Sequence, residues 1–247
     1  MLQIPVTLST ERHGEWVGYW PSTANPALSN IGALLDLVER PGTVIKDDHR
    51  TFLKRVAFCG FDVAAKQPRD KNRRVWIRLL SLIRRSEVRF TLATLERLLH
   101  AGVPSVVPLA ALERRRFGMV IDSWLFYRYR EGVRCGEQEL AEIIQVLNTL
   151  HRAGFRHQDP HFDNFLHDEN EVFIVDIKGK RRWGKVSDYY DFMLLEQRMR
   201  KPLAPELWPQ KEDCSYRIAA GYGVYRWCRR KAKDWVRRTV LKPRHRR

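Results

Sequence analysis

The sequence predicts an α+β fold with a small sheet-rich N-terminal part and a mostly helical C-terminal part. Three observations predict it. Short apolar runs typical of strands occur within residues 43–66 and 105–126. A long helical pattern lies between them at residues 76–100. A second helical pattern at residues 137–152 opens a remainder that has few and short strand patterns.

Composition indicates a folded chain with a hydrophobic core. Of its 247 residues, 44% are apolar, which excludes wholesale disorder. We expect no membrane-spanning helix, since the longest uncharged stretch is rich in Ser, Thr, Asn and Pro. The N-terminus has no pattern of a secretory signal, so we expect a cytoplasmic protein. The four cysteines of the chain are widely separated and are expected to be free thiols.

Positive charge is concentrated at the C-terminus. The chain has 45 Lys and Arg against 29 Asp and Glu, a net charge of +16. The last 22 residues hold 11 Lys or Arg and one Asp, which gives 11 − 1 = +10. By charge alone, the partner would be nucleic acid or an anionic membrane.

The first 126 residues divide at the turn Pro41-Gly42. Before it, we expect an N-terminal extension whose residues 31–38 form a short amphipathic helix. After it, strands are predicted at residues 43–45, 52–58, 62–66, 105–112 and 117–126. A basic loop at residues 69–74 is expected to lead into the helix 76–100, and the charged residues 113–116 are expected to turn between the last two strands.

The densest motif lies between Gly154 and Asp176. It reads His157-Gln-Asp159, then Asn164, then an apolar hairpin that ends at Asp176. The pattern H-x-D-x₄-N followed by an apolar strand and Asp matches the kinase catalytic-loop signature in order and spacing. Phosphoryl transfer needs one carboxylate to accept the proton of the attacking hydroxyl, and an Asn and a second carboxylate to hold Mg²⁺. The alternative is a polar loop in which Asp and Asn only cap turns.

A lysine in the predicted sheet completes this pattern. The run Val63-Ala-Ala-Lys66 is similar to the strand whose lysine pairs with nucleotide phosphates and with a helix glutamate. Glu87 is the candidate partner, and Glu96 is an alternative further along the helix. Lys66 as an ordinary exposed strand-end lysine is the other interpretation. No G-x-G-x-x-G motif occurs, and residues 46–49 between the first two strands read Lys-Asp-Asp-His instead.

These motifs resemble the lipopolysaccharide core kinases, especially the heptose kinases of Gram-negative bacteria. The resemblance rests on residues 157–166 (HQDPHFDNFL) and 174–180 (IVDIKGK), with weaker support from 100–104 and 108–110. It covers residues 43–200 and implies a protein-kinase-like two-lobed fold. We therefore expect four parts, namely an N-terminal extension, an N-lobe, a C-lobe with the catalytic loop and a basic tail, at residues 1–42, 43–126, 127–220 and 221–247.

The resemblance also implies roles for individual residues. Asp159 matches the catalytic base, Asn164 and Asp176 match the metal ligands, and Lys66 matches the lysine that contacts phosphate, with ATP and Mg²⁺ as cofactors. Gln158 and His161 stand where protein kinases usually have Arg and Lys. Both departures favour a sugar or another small acceptor over a protein.

Three functions follow as hypotheses. The first is an ATP- and Mg²⁺-dependent kinase that phosphorylates a heptose hydroxyl of the lipopolysaccharide core oligosaccharide. The second is a kinase-like enzyme acting on a protein hydroxyl or on another small molecule. The third is a basic nucleic-acid-binding protein with a degenerate kinase fold. The presence of all four motif residues argues against the third, so we do not expect nucleic acid as a partner.

The C-terminal tail is predicted to dock on the cytoplasmic face of the inner membrane. At helical spacing, residues 221–247 place apolar and aromatic side chains on one side and basic ones on the other. The alternative is that Trp227 and Trp235 pack on the helical lobe. Elsewhere we expect Trp76, Trp124 and Trp183 to be packing residues, and residues 69–74 and 114–116 to be solvated turns.

Overall fold

The computed structural model describes residues 6–177, 179–204, 207 and 213–239. Strands dominate the first half of the chain and helices the second, which confirms the predicted α+β class. The strands are β1 Ser9–His13, β2 Trp16–Trp20, β3 Thr43–Asp47, β4 Phe52–Phe58, β5 Phe61–Gln67, β6 Pro108–Arg116, β7 Met119–Arg128, β8 Val133–Arg134, β9 Phe155–Arg156, β10 Phe165–His167, β11 Val172–Ile174 and β12 Lys180–Arg181.

The helices follow the expected positions except within residues 69–86. They are α1 Ile31–Glu39, α2 Arg69–Arg73, α3 Val75–Leu80, α4 Glu87–His100, α5 Leu140–Arg152, α6 Lys185–Met199 and α7 Cys214–Thr239. Short 3₁₀ helices lie at Pro26–Leu28 and Phe162–Asn164. Within the described residues, every helix is too short or too polar to span a bilayer.

A seven-stranded antiparallel sheet forms the N-terminal part, in the order β1-β2-β6-β7-β5-β4-β3. One face is covered by α1, whose buried Ile31, Leu34 and Leu37 join a core with Val63 and Phe126. The other face joins a larger core that α4, α5 and α6 share. The inner strands of the sheet are therefore buried on both sides, and this holds them in a fixed position against the helical part.

The first two strands were not predicted. The sequence predicts an extension with one helix over residues 1–42, and α1 confirms that helix. However, β1 pairs with β2 and β2 pairs with β6, which adds both strands to the sheet. All five residues of β1 are exposed, so its side chains lack the apolar alternation that marks a strand.

The predicted helix 76–100 is divided in the structure. α4 begins at Glu87, where the Ser86 side chain accepts a hydrogen bond from the Arg89 N–H at 3.2 Å. This serine N-cap satisfies a backbone donor of the first turn and fixes the start of α4. Two shorter helices, α2 and α3, precede it. The predicted helical region is therefore confirmed at residues 76–80 and 87–100, and it was wrong at residues 81–86, which are not helical.

The turn between β6 and β7 lies later than predicted. Phe117 (φ +50°) and Gly118 (φ +78°) form it, while residues 113–116 continue the strand. Glu113 can stay in the sheet although it is fully buried, because it accepts hydrogen bonds from Tyr19 at 3.3 Å and Arg115 at 2.7 Å. A paired buried carboxylate does not force the chain to turn.

The three tryptophans that were expected to be packing residues differ in burial. Trp124 is buried, as expected, and Trp183 is partly exposed, with its ring 3.8 Å from the Arg156 guanidinium. Trp76 is 68% exposed, so its prediction as a packing residue was wrong.

Candidate active site

The predicted catalytic loop runs from β9 to β10 and is fixed by a buried carboxylate of α6. Asp191 accepts the backbone N–H of His157 at 2.7 Å and that of Gln158 at 2.8 Å. Gln158 has φ +74°, a backbone conformation that residues other than glycine rarely adopt. The two bonds from Asp191 hold this strained residue directly before Asp159.

Asp191 was not identified from the sequence. It is completely buried, and His151 of α5 also lies 3.0 Å from it, between His Nε2 and Asp Oδ2. Its sequence signal is an acidic residue between two aromatic residues, Tyr190 and Phe192, on a helix that is otherwise packed. A buried carboxylate needs several donors, and here they come from the catalytic loop and α5. Asp191 is a positioning residue for the loop.

Asp159 and Asn164 face each other across the loop. The Asn164 side-chain amide donates to the Asp159 backbone oxygen at 2.8 Å, which leaves the amide oxygen as that side chain's acceptor. The Asp159 carboxylate accepts a hydrogen bond from Arg198, near the end of α6, at 3.2 Å. The sequence-predicted base and first metal ligand are thus held in one short loop.

Asp176 and Lys66 meet between the two parts of the fold, with Nζ and Oδ1 3.2 Å apart. Lys66 lies on β5, and Asp176 follows β11. Two backbone bonds tie β11 to the segment before β6: Ile174 N–H donates to Pro104 O at 3.0 Å, and Val106 N–H donates to Ile174 O at 3.1 Å. These bonds place Asp176 opposite the strand that carries Lys66.

The charges of this pair stabilise each other. Burial opposes the charged form of Lys66, but the Asp176 carboxylate outweighs it and raises the pKa of the lysine. Burial likewise opposes ionisation of Asp176, and the Lys66 ammonium outweighs it and lowers the pKa of the carboxyl. Both groups are therefore charged near neutral pH, which is the state that phosphate and metal binding need.

The structure does not bring Glu87 or Glu96 to Lys66. Glu87 forms an ion pair with Lys71 of α2. Glu96 is completely buried and accepts the N–H and the hydroxyl of Ser22, at 2.5 and 2.6 Å. The lysine–glutamate pair expected from the sequence is replaced here by the pair of Lys66 with Asp176.

The turn between β3 and β4 has side-chain caps in place of glycines. Asp48 Oδ1 accepts the N–H groups of Arg50 at 2.8 Å and Thr51 at 2.6 Å. These backbone bonds lower the pKa of Asp48. Arg69 of α2 also binds Asp47. The turn is therefore fixed to the body of the N-terminal sheet.

His157 is buried beneath the site. Its ring lies 5.2 Å from that of Phe165, and neither ring nitrogen has a hydrogen-bond partner among the described residues. Burial lowers its pKa from 6.5 to about 4, although Asp191, Asp176 and Asp159 each oppose this shift. The histidine is therefore neutral in the folded protein at neutral pH, and the three carboxylates surround it closely enough to act on it.

This burial predicts a pH dependence of stability. In the unfolded chain His157 gains a proton below about pH 6.5, and in the folded protein only below about 4. The free energy of unfolding should therefore fall by on the order of 3 kcal/mol as pH is lowered through this interval. In His157→Phe, which keeps a ring against Phe165, this component should be absent. Urea unfolding between pH 4 and 7 measures it, and identical pH profiles of the two proteins would contradict the assignment.

Gly179 fixes the segment that follows Asp176. It has φ +51°, and a β-carbon there would lie 2.1 Å from Thr94 Cγ2 of α4. Gly179→Ala should therefore destabilise the fold by about 2–4 kcal/mol through overpacking and backbone strain. Gly102→Ala is the matched control, because Gly102 follows the end of α4 with φ +67° and has no atom within 4 Å, so that only backbone strain of about 1–2 kcal/mol applies. Equal losses in thermal unfolding would show that the contact with Thr94 is unimportant.

The donor set fits a magnesium nucleotide. Mg²⁺ prefers carboxylate, amide and phosphate oxygens, and proteins usually bind it through one or two side chains together with substrate phosphates. Asp176 and the Asn164 amide oxygen would be the side-chain ligands, and Lys66 places a positive charge 3.2 Å from the Asp176 carboxylate. Asp159 would add a carboxylate from the loop between β9 and β10. The arrangement can orient a hydroxyl and accept its proton next to a charged phosphate group.

Comparison with known proteins gives one family and several similar folds. Residues 116–199 match the family described as "Lipopolysaccharide core biosynthesis protein (WaaY)". No curated protein matches the chain. A solved structure of WaaP in complex with acyl carrier protein is 17% identical, with a TM-score of 0.48 over 78% of this chain and 88% of that one. The PknI kinase domain of Mycobacterium tuberculosis is 13% identical, with a TM-score of 0.40 over 68% and 76%.

The family match covers all the candidate site residues except Lys66, which lies before it. It begins at the end of β6, contains Asp159, Asn164, Asp176 and Asp191, and ends with α6. The seven-stranded sheet packs on a helical part, and the Lys66–Asp176 pair lies between them, so the α+β fold has two parts. Across residues 116–199, this chain has the sequence pattern of a lipopolysaccharide core biosynthesis family.

Proposed function

We propose that this protein is an ATP-dependent kinase that phosphorylates a heptose hydroxyl of the lipopolysaccharide core. One observation carries the proposal: the segment similar to a lipopolysaccharide core biosynthesis family contains Asp159, Asn164 and Asp176 at kinase spacing. The position of Lys66, 3.2 Å from Asp176, supports it.

In the proposed mechanism the residues divide the work. Asp159 would accept the proton of the acceptor hydroxyl as the hydroxyl oxygen bonds to the γ-phosphorus of ATP and the bond from that phosphorus to the oxygen of the leaving ADP breaks. Lys66 would stabilise negative charge on the phosphates, and Asn164 and Asp176 would hold the metal ion. When bound, Mg²⁺ and ATP supply the phosphoryl group and the positive charge that neutralises it. Asp191 keeps the loop in place, so that the position of Asp159 is set before substrate binds.

The acceptor is inferred from two residues of the catalytic loop. Gln158 cannot form the ion pair with a phosphorylated residue that an arginine at this position would form, and its backbone is bound to Asp191 instead. His161 replaces the usual lysine. Both favour a small acceptor such as a sugar. A protein hydroxyl or another small molecule is the alternative acceptor.

The phosphate content of the core tests the proposal in cells. Mass spectrometry of core oligosaccharide from a strain lacking this protein should show the loss of one phosphate per molecule on a heptose. Restoring the wild-type gene should restore it, and restoring Asp159→Ala should not. An unchanged phosphate content would contradict the proposed acceptor.

We also propose that α7 binds the cytoplasmic face of the inner membrane. Its first half packs on α6: Tyr222 contacts Tyr190 and Trp183 with ring centroids 5.0 and 4.9 Å apart. From Trp227 onward the described side chains are exposed, including Trp235. The exposure of both tryptophans supports docking over packing on the lobe. Val240 lies outside the described residues, and of residues 233, 236, 237 and 238 only the backbone is described.

The docking of α7 predicts salt-sensitive binding to anionic vesicles. Each Lys or Arg near an anionic surface contributes about 1 kcal/mol, so several kcal/mol are expected from the tail. In Trp227→Ser, flotation with phosphatidylglycerol vesicles should fall several-fold at low salt. Tyr225 is another exposed aromatic residue of α7, and flotation of Tyr225→Ser is measured for comparison. Flotation of Trp227→Ser equal to that of the wild type would contradict a role of this side chain.

A further inference from the structure

The segment between β5 and α4 has an inverted burial pattern. In most surface helices the apolar face is buried and the polar face is exposed. Here Asn72 and Ser81 are buried, while apolar side chains face outward from α3 and the turn after it. The exposed set is Val75, Trp76, Leu79, Leu82 and Ile83, and with Phe117 it is called the apolar patch below.

Polar contacts fix this orientation. Asn72 donates to the Asp122 carboxylate at 2.8 Å and accepts from the Ser123 hydroxyl at 2.7 Å. The Ser81 hydroxyl accepts the Val120 N–H at 2.9 Å. All three partners belong to β7, so the sheet holds the polar side of α2 and α3. The apolar side is therefore presented outward by a rigid support and does not depend on a mobile loop.

Phe117 extends the patch from the β6–β7 turn. It is 83% exposed and has φ +50°, in a turn position where Gly, Asn or Asp is usual. Exposure and backbone strain both oppose a phenylalanine there. The β6–β7 turn adjoins the segment after α3, because a β-carbon on Gly118 would lie 3.0 Å from Leu82 Cδ2. A contact that buries Phe117 would explain why an aromatic residue stands at this position.

Positive charge surrounds the patch. Residues 69–85 contain seven Lys or Arg and one Asp, so their net charge is 7 − 1 = +6. Arg73, Arg84 and Arg85 are exposed and form no ion pair within the described part of the chain. Arg116 lies with its guanidinium 5.6 Å from the Phe117 ring. Apolar and aromatic side chains among Lys and Arg are typical of surfaces that enter the headgroup region of anionic membranes.

We propose that the apolar patch is a second membrane-contact surface, which inserts into an anionic phospholipid bilayer. Its charge complements anionic headgroups, and the exposed Trp76 and Phe117 suit the interfacial region. A second copy of the chain fits less well, because the exposed Arg73, Arg84 and Arg85 of two facing patches would repel each other. The inference depends on neither the kinase activity nor α7, and it places the N-lobe at the bilayer together with the tail.

Vesicle binding of the full chain tests this surface. Trp76→Ser/Ile83→Ser removes two exposed side chains that make few contacts, so the fold should be retained. Its partition to phosphatidylglycerol vesicles should be at least about tenfold weaker than that of the wild type. Val44→Ser/Ile45→Ser is the matched control, because both residues are exposed on β3, away from the patch. It should bind as the wild type does, and vesicles of phosphatidylcholine alone should bind all three proteins weakly.

Fluorescence locates the contact independently of α7. Phosphatidylglycerol with brominated acyl chains quenches tryptophans that enter the bilayer, and Trp76→Phe should show clearly less quenching than the wild type. Equal quenching in the two proteins, or equal partition of Trp76→Ser/Ile83→Ser and wild type, would overturn the proposal and leave α7 as the docking element. Failure of the wild type to bind vesicles would also overturn it and would favour an acidic protein as the partner. Because the vesicles contain no acceptor and no nucleotide, neither result depends on the proposed reaction.

Discussion

Asp159→Ala is expected to lower the rate of phosphoryl transfer by about 10²–10⁴-fold. Asp159 is the carboxylate of the catalytic loop that follows the strained Gln158, and its position is set by the two backbone bonds of Asp191. The variant removes the proposed proton acceptor but leaves Lys66, Asn164 and Asp176 unchanged. Nucleotide affinity, measured by calorimetry, should therefore remain within a few-fold of the wild type.

A neighbouring carboxylate provides the matched control. Asp163 lies one residue before Asn164, is exposed, and pairs with Arg134 at 3.3 Å. Asp163→Ala removes the same charge from the same loop without touching the proposed base, so most of the activity should be retained. If Asp159→Ala transferred phosphate at the rate of Asp163→Ala, Asp159 would not be the base.

Asp176→Asn is expected to lower metal-dependent activity strongly. The substitution keeps the shape of the side chain but removes the negative charge that is proposed to bind the metal ion and that forms the ion pair with Lys66. Loss of a single preorganised charge interaction in an active site typically costs 10²–10³-fold in rate, so a loss of about this size is expected. Raising the Mg²⁺ concentration should recover part of it.

The metal dependence itself is measured with the wild type. Activity should disappear with EDTA and return with Mg²⁺ or Mn²⁺, since both accept the oxygen ligands that Asn164 and Asp176 provide. A titration of activity with Mg²⁺ should give a higher half-saturating concentration in Asp176→Asn. Turnover in EDTA equal to turnover in Mg²⁺ would contradict the role of both residues.

The catalytic loop could be predicted because its information is local. His157, Asp159 and Asn164 lie within eight residues, and the apolar runs that follow fix the hairpin β10–β11. Such spacing is visible in the sequence whatever the rest of the chain does. The position of Lys66 on a strand was also predicted, since the strand is marked by β-branched and small apolar residues.

The contacts between distant elements could not be predicted. Lys66 pairs with Asp176 because β11 is bonded to residues 104–106, and no local pattern reports this bond. Asp191 is 32 residues beyond Asp159, so its bonds to the loop arise only when α6 packs on β9. Glu87 forms its ion pair with Lys71, because residues 69–73 fold as α2 and do not form the basic loop that the sequence indicated.

The inverted face of α3 was missed for a different reason. Helical periodicity gives the spacing of apolar residues but not the side on which they lie. A stripe at helical spacing is normally assigned to the core. Asn72 and Ser81 reverse this assignment through their bonds to β7, which only the structure shows. Trp76 is therefore exposed although its sequence context is that of a packing residue.

Transfer of labelled phosphate from ATP to purified core oligosaccharide tests the central claim most directly. We predict that the purified protein labels a heptose-containing core in the presence of Mg²⁺, and that it does not label a core from which the heptose is absent. Mass spectrometry of the product should place one added phosphate on a heptose. Labelling of neither core, or equal labelling of both, would contradict the account.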